Sequence, residues 1–166
     1  AEYAETVHET RELGLKVCTH LILGLPGEDR AMMMESLQQV LDIGADGLKF
    51  HPLHVVRHTR LASDWKRGDV ALLQQQDYVS LVCDMLEVTP SDYVIHRLTG
   101  TASDDVLLAP AWCGGKWQVI NAIYRELGVR KSFQGSRFRP TPESKHQPLQ
   151  QSRQAGESQQ VTAAAS

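Results

Sequence analysis

Lys16–Leu25 (KVCTHLILGL), Asp46–Val56 (DGLKFHPLHVV) and Tyr93–Leu98 (YVIHRL) are three apolar runs separated by two helical patterns, and that alternation decides the fold. The first run is apolar on both faces, as a strand buried within a parallel sheet must be. Pro26-Gly27 breaks it, and Asp29 stands where a helix N-cap is needed. Met33, Leu37, Val40 and Leu41 then fall at i, i+4, i+7 and i+8, one stripe of a helix that Gly44 ends. The second run is a strand leading into a loop with Thr59, Ser63 and Gly68. A further helix covers about 75–87, where Tyr78, Leu81, Val82, Met85 and Leu86 are apolar, and Thr89-Pro90-Ser91 breaks it. Such alternation is the signature of βαβ units. The expectation is three parallel strands in sequential order, near 16–25, 46–52 and 93–98, with helices 30–43 and 75–87 on one side.

Outward from this core, Tyr3, Val7 and Leu13 make a thin apolar stripe on a polar helix stopped at Gly14. Beyond the third strand come a loop over 100–105, an apolar stretch over 106–109 and a helix marked by Trp117, Ile120, Tyr124 and Leu127, with Gly128 as its stop. From 132 the composition changes. Residues 134–166 hold seven Gln and a single aromatic, Phe138, which is too little apolar area to offset ordering entropy. The expected division is a folded part over 1–131 and a disordered tail over 132–166. Three parallel strands leave faces and edges uncovered, so the missing half of the sheet is expected N-terminal to Ala1.

The 166 residues are 42% hydrophobic and 22% charged, close to a soluble globular average and unlike a disordered or collagen-like chain. No apolar run approaches the ~20 residues of a membrane span, and no leader pattern opens the chain. Three cysteines, Cys18, Cys83 and Cys113, are an odd and sparse set that argues against a disulfide framework and fits a reducing cytoplasm. The net charge of −3 makes no global case for nucleic acid. Locally the balance differs, since residues 94–139 carry seven basic against three acidic side chains, a charge of +4.

Three stretches could carry chemistry. His20–Glu28 (HLILGLPGE) is a buried strand ending in a glycine turn before a helix, the place where parallel α/β folds bind ligands. A plain βα turn explains the same residues, and neither G-x-G-x-x-G nor a P-loop is present. His51, His54 and His58 crowd eight residues, but i and i+3 on a strand face opposite ways, which weakens a zinc reading and favours a ligand contact at a strand end. Arg97, in His96-Arg97-Leu98-Thr99-Gly100, stands at another strand end, where it can pair with a carboxylate or phosphate or with Asp104 or Asp105. Cys18 and Cys83 fit packing positions, whereas Cys113, between Trp112 and Gly114, is expected to be more exposed.

HLILGLPGE, DGLKFHPLHVV, YVIHRLTG, LLAPAWCGGKWQVINAI and FQGSRF together resemble the C-terminal half of a radical S-adenosylmethionine (radical SAM) protein of the YhcC/YtqA-like iron–sulfur oxidoreductase family, over about residues 1–138. The resemblance implies an α/β fold: the last three strands of a partial (βα)6 TIM-like barrel with a helical C-terminal extension. It implies S-adenosylmethionine and a [4Fe–4S] cluster as cofactors, and reductive cleavage of the former to a 5′-deoxyadenosyl radical. The cofactor-binding residues expected on this ground are His20, Ile22, Gly24, Pro26, Gly27, Phe50 and His51, with His54 and Arg97 toward substrate. Family members bind the cluster through C-x3-C-x2-C, a motif missing from these residues. The ligands are therefore expected in the N-terminal half of the same protein, no metal ligand is expected here, and the piece alone should be inactive. Links of some family members to wobble uridine modification make tRNA the expected macromolecular partner. The alternatives from other classes are a non-catalytic nucleotide- or protein-binding α/β module, and a metallohydrolase barrel using His20, His51 and His54.

Overall fold

The computed structural model describes residues 2–139. Its chain alternates helix and strand: α1 (Glu2–Glu12), β1 (Cys18–Leu23), α2 (Arg30–Ile43), β2 (Gly47–Pro52), β3 (Val55–Val56), α3 (Arg60–Arg67), α4 (Gln75–Val88), β4 (Val94–Arg97), β5 (Leu107–Ala109), a 3₁₀ turn at Ala111–Gly114, and α5 (Lys116–Arg130). Helix α2 forms where its ends are satisfied. Asp29 accepts the Met32 amide at 2.9 Å, and Gly44 closes the other end at φ +82°, a conformation that costs glycine least. Strands β1, β2 and β4 form one parallel sheet in sequential order, as the alternation predicts.

The two faces of this sheet differ completely. Leu21, Leu23, Leu48, Phe50 and Ile95 face the helices and pack with Met33, Leu37, Tyr78, Leu81, Val82 and Met85. Val119, Ile123 and Leu127 of α5 extend that core from the far side of α4. The alternate residues, Cys18, His20, Ile22, Lys49, His51, Val94 and Arg97, form a face that no helix covers among the described residues. Ile22 is 49% exposed there, on a strand whose other face is core.

Four expectations need correcting. The second strand, Gly47–Pro52, keeps to the expected 46–52, but the rest of the apolar run to Val56 is not the plain exit to a loop: Val55–Val56 pairs antiparallel with Leu107–Ala109 in a separate two-stranded sheet. The expected loop around Ser63 is a helix, capped by the Thr59 hydroxyl on the Ala62 amide at 3.1 Å and closed by Gly68 at φ +87°. Gly128 does not stop α5, which continues to Arg130 and ends on Lys131 at φ +53°. Finally, residues 132–139 are not a loose start to a tail. Gly135 and Arg137 donate backbone N–H groups to the last carbonyls of α4, Leu86 at 3.0 Å and Glu87 at 2.8 Å, which a helix C-terminus leaves free. Gln134 Nε2 donates to the carbonyls of Pro90 and Tyr93. The rest of the expected tail lies outside the described residues.

Candidate functional site

The site is built by strand register. In parallel strands, paired residues point to the same face, so Ile22 opposite His51 and His20 opposite Lys49 place four side chains on the open face together. The next pairing is irregular. Leu48 pairs with Ile95, but Lys49 pairs with Arg97, so the bulge leaves His96 unpaired, with its ring against Gly47 on the open face, and brings Arg97 onto the face that already holds Lys49. The His20 and His51 rings stack at 5.6 Å between centroids with a 12° interplanar angle. Gly100 closes on the imidazole of His51, and a Cβ there would overlap Nδ1. The Nε2 atom of His51 is buried with no hydrogen-bond partner among the described residues, an arrangement that costs on the order of 1–3 kcal/mol until a ligand or water meets it.

Near the carboxyl ends of the strands the charged side chains on this face are the cations Lys49 and Arg97, whereas Asp46 and Asp92 border its other end. Burial, and then Arg97, His20, His54 and Lys49, hold the His51 imidazole below the usual histidine range. Partial burial followed by Lys49, Arg97 and His96 does the same to His20. Both rings are thus neutral near pH 7 and can donate or accept a hydrogen bond. Asp46, the residue before β2, is already held: it accepts from Lys16 Nζ and the Val17 amide, each at 2.9 Å, and lies 3.8 Å from Arg11 Nε. Lys49 and Arg97 make no ion pair among the described residues.

The sequence-predicted residues divide accordingly. His20, Ile22, His51 and Arg97 come together on the open face at the carboxyl ends of the strands. Phe50 does not join them: it is fully buried on the helix side, because it alternates with His51. Gly24 has its open side taken by Leu73, whose Cγ would sit 2.9 Å from an added Cβ, so this glycine serves a close packing contact at φ +86°. Pro26 and Gly27 form the exposed turn into α2, with nothing within 4 Å of a Cβ at Gly27. His54 stands beyond the end of β2 with Nδ1 3.2 Å from the Pro52 carbonyl. A metal needs in-plane lone pairs that converge, and the stacked rings of His20 and His51 aim theirs in parallel planes. Among the described residues no three His, Cys, Asp or Glu side chains gather to hold an ion.

The cysteines are likewise apart. Cys113 is fully buried rather than exposed, and burial pushes its thiol up to about 12. Burial also pushes Cys83 up, to about 11, and its Sγ donates to the Ile123 carbonyl at 3.6 Å. Cys18, half-buried on the open face, Cys83 and Cys113 lie on separate elements, and none belongs to a group of three metal-ligating side chains among the described residues. Lys49, His96 and Gly100 were missed as site residues. Lys49 is two positions from His51 and shares its face, a period-two signal within reach of sequence reading; the bulge that adds Arg97 carries no such signal.

The basic run of 94–139 is not one surface. Arg130 reaches Asp84 at 2.5 Å, Glu126 at 2.8 Å and Glu87 at 3.5 Å, while Arg137 Nε lies 3.1 Å from the buried Glu87. A hollow of about 380 Å³ between α4, α5 and the 132–134 turn is lined by Leu86, Ile95, Tyr124 and Phe133 and holds none of the expected site residues.

Residues 45–128 match the family model of the Radical_SAM C-terminal domain. The chain belongs to the radical SAM C-terminal domain family. It is 43% identical over 136 residues to the uncharacterized protein YtqA of Bacillus subtilis, covering 82% of this chain and 42% of YtqA. It is 38% identical over 144 residues to YhcC of Escherichia coli, covering 85% and 47%. The chain therefore spans less than half the length of these curated relatives. A more distant match, 28% over 83 residues, is the tRNA uridine(34) acetyltransferase of Methanocaldococcus jannaschii, with 48% of this chain and 15% of that protein covered. The solved structure of the archaeal Methanocaldococcus infernus Elp3 with an N-terminal deletion superposes with a TM-score of 0.69 at 18% identity, over 80% of this chain and 31% of that one. That likeness is one of fold, and it makes the three parallel strands of this radical SAM domain a fragment of a barrel. In such a barrel the helices lie outside, so the open face is the interior one.

Proposed function

We propose that this domain lines the S-adenosylmethionine pocket of a radical SAM oxidoreductase acting on wobble uridine in tRNA. The observation that carries the reading is the buried, unpartnered Nε2 of His51, on an interior face that also offers the apolar surface of Ile22. These residues fit a nucleoside-bearing cofactor: Ile22 offers a flat aliphatic contact, His20 and His51 offer hydrogen bonds to a base or ribose, and neither ring carries a competing charge near pH 7. When bound beside a reduced [4Fe–4S] cluster, S-adenosylmethionine supplies a 5′-deoxyadenosyl radical for hydrogen abstraction. The cluster ligands come from a segment of the same protein outside these residues. Within this chain, Gly100 fixes the His51 ring and the bulge fixes Arg97, so the interior face is set before any ligand arrives. The names of the relatives support the RNA substrate, since the M. jannaschii protein is called an acetyltransferase of tRNA uridine 34.

The test is anaerobic reconstitution of the full-length protein with iron and sulfide, followed by reduction in the presence of S-adenosylmethionine. The expected product is 5′-deoxyadenosine, formed faster when bulk tRNA from cells lacking the protein is added, and largely lost in His51→Ala. No 5′-deoxyadenosine under any condition would overturn the radical reading. Equal formation with and without RNA would overturn tRNA as the substrate.

A helix crossing a lipid bilayer would need a long apolar stretch, and no described helix is long and apolar enough.

A further inference from the structure

The interior face carries more positive charge than a nucleoside and a methionine backbone call for, and the chain bends its own register to put it there. A regular β2–β4 ladder would pair Lys49 with His96; the irregularity pairs it with Arg97 instead. Two basic side chains thus occupy paired positions on adjacent strands, next to the stacked imidazoles of His20 and His51, which feel both charges. Lys49 is half-buried and Arg97 exposed, and two like charges at paired strand positions repel, which an anion between them relieves. Neither Lys49 nor Arg97 has an ion pair among the described residues, and Asp46, at the other end of the face, is committed to Lys16, Arg11 and the Val17 amide.

We propose that Lys49 and Arg97, flanked by His20 and His51, form an anion-binding subsite that takes a phosphate or carboxylate group of the substrate. This rests on the reading of the open face as the interior of the catalytic cavity. The guanidinium of Arg97 suits a planar or tetrahedral oxyanion through paired N–H donors, and Lys49 adds a point charge beside it. His51 Nε2, otherwise orphaned, gains a partner when protonated or when an oxygen-bound proton meets it. The bulge is the specificity device: its one extra residue in β4 shifts the register so that Arg97 joins the face of Lys49.

The experiment uses the full-length protein labelled with ¹³C-histidine, titrated with inorganic phosphate or with acetate while the His20 and His51 ring signals are followed by NMR. Saturable shifts of both rings are expected in the native protein, with apparent affinity at least tenfold weaker in Lys49→Gln and in Arg97→Gln. A phosphate response that far exceeds acetate assigns a phosphate-bearing substrate group, and the converse assigns a carboxylate. Absence of any saturable shift overturns the subsite, as does a response unchanged in both variants. A repeat with S-adenosylhomocysteine already bound separates the two readings. Shifts from phosphate that persist support a substrate subsite distinct from the cofactor, and shifts that vanish overturn it in favour of the cofactor's own carboxylate. Should S-adenosylhomocysteine itself fail to perturb His51, the cofactor reading fails while the anion response stands on its own.

Discussion

His51 concentrates three separate pressures: a stacked partner in His20, a glycine backbone closing on its ring, and two cations, Lys49 on its own strand and Arg97 on β4. Burial and those cations lower its proton affinity below the ordinary histidine value of 6.5. The unfolded chain therefore binds that proton more readily than the folded one does. The stability due to the neutral ring is complete above about pH 6.5 and is lost as pH falls toward the folded value. Urea midpoints measured between pH 7.5 and pH 5 should fall, and His51→Gln should flatten the slope. An unchanged slope would mean that the ring does not sense its surroundings. The lowered carboxylates Asp46 and Asp84 lie outside this window, because their contribution fades below their ordinary value of 3.8.

At the scale of elements, what could be read in the sequence was whatever repeats locally. The helical stripe of Met33, Leu37, Val40 and Leu41, its Asp29 cap and its Gly44 stop all lie within sixteen residues, and all three features are present in α2. The pairing of Val55–Val56 with Leu107–Ala109 joins residues about fifty positions apart, and no local pattern announces it. Helix α3 had its signal in Thr59 and Gly68, but its eight residues are few enough to pass for a loop. The C-terminal end of α4 depends on a longer reach again. Glu87, fully buried, accepts the Ser132 hydroxyl at 2.6 Å and faces Arg130 and Arg137. Arg130→Met should cost about 3 kcal/mol, because it strips a cation from a buried carboxylate. Lys16→Ala should cost less than about 1 kcal/mol, because Lys16 is 82% exposed beside Asp46. Chemical denaturation of the two variants checks the ranking.

Taken whole, the molecule extends past the boundary its composition suggests. Gln134 has two carbonyl acceptors, and two backbone amides of 132–139 cap α4. A chain ended at 131 should melt several degrees below one ended at 139, by roughly 2–4 °C for each kcal/mol lost. Equal melting temperatures would mean that these bonds contribute nothing. The candidate site was legible to the same partial degree: His20, Ile22, His51 and Arg97, read as one group, do share the open face, whereas Phe50 lies on the helix side because it alternates with His51.

The one-sided sheet also divides the labour of selection along each strand. Leu21, Leu23, Leu48 and Phe50 answer to the core, so replacing them removes the protein itself. His20, Ile22 and Lys49 touch no core, so the fold should tolerate many residues there while function tolerates few. A saturation library scored once for abundance and once for activity would then show two complementary stripes. Abundance would dip at odd positions of β1 and even positions of β2, and activity alone would dip at the positions between.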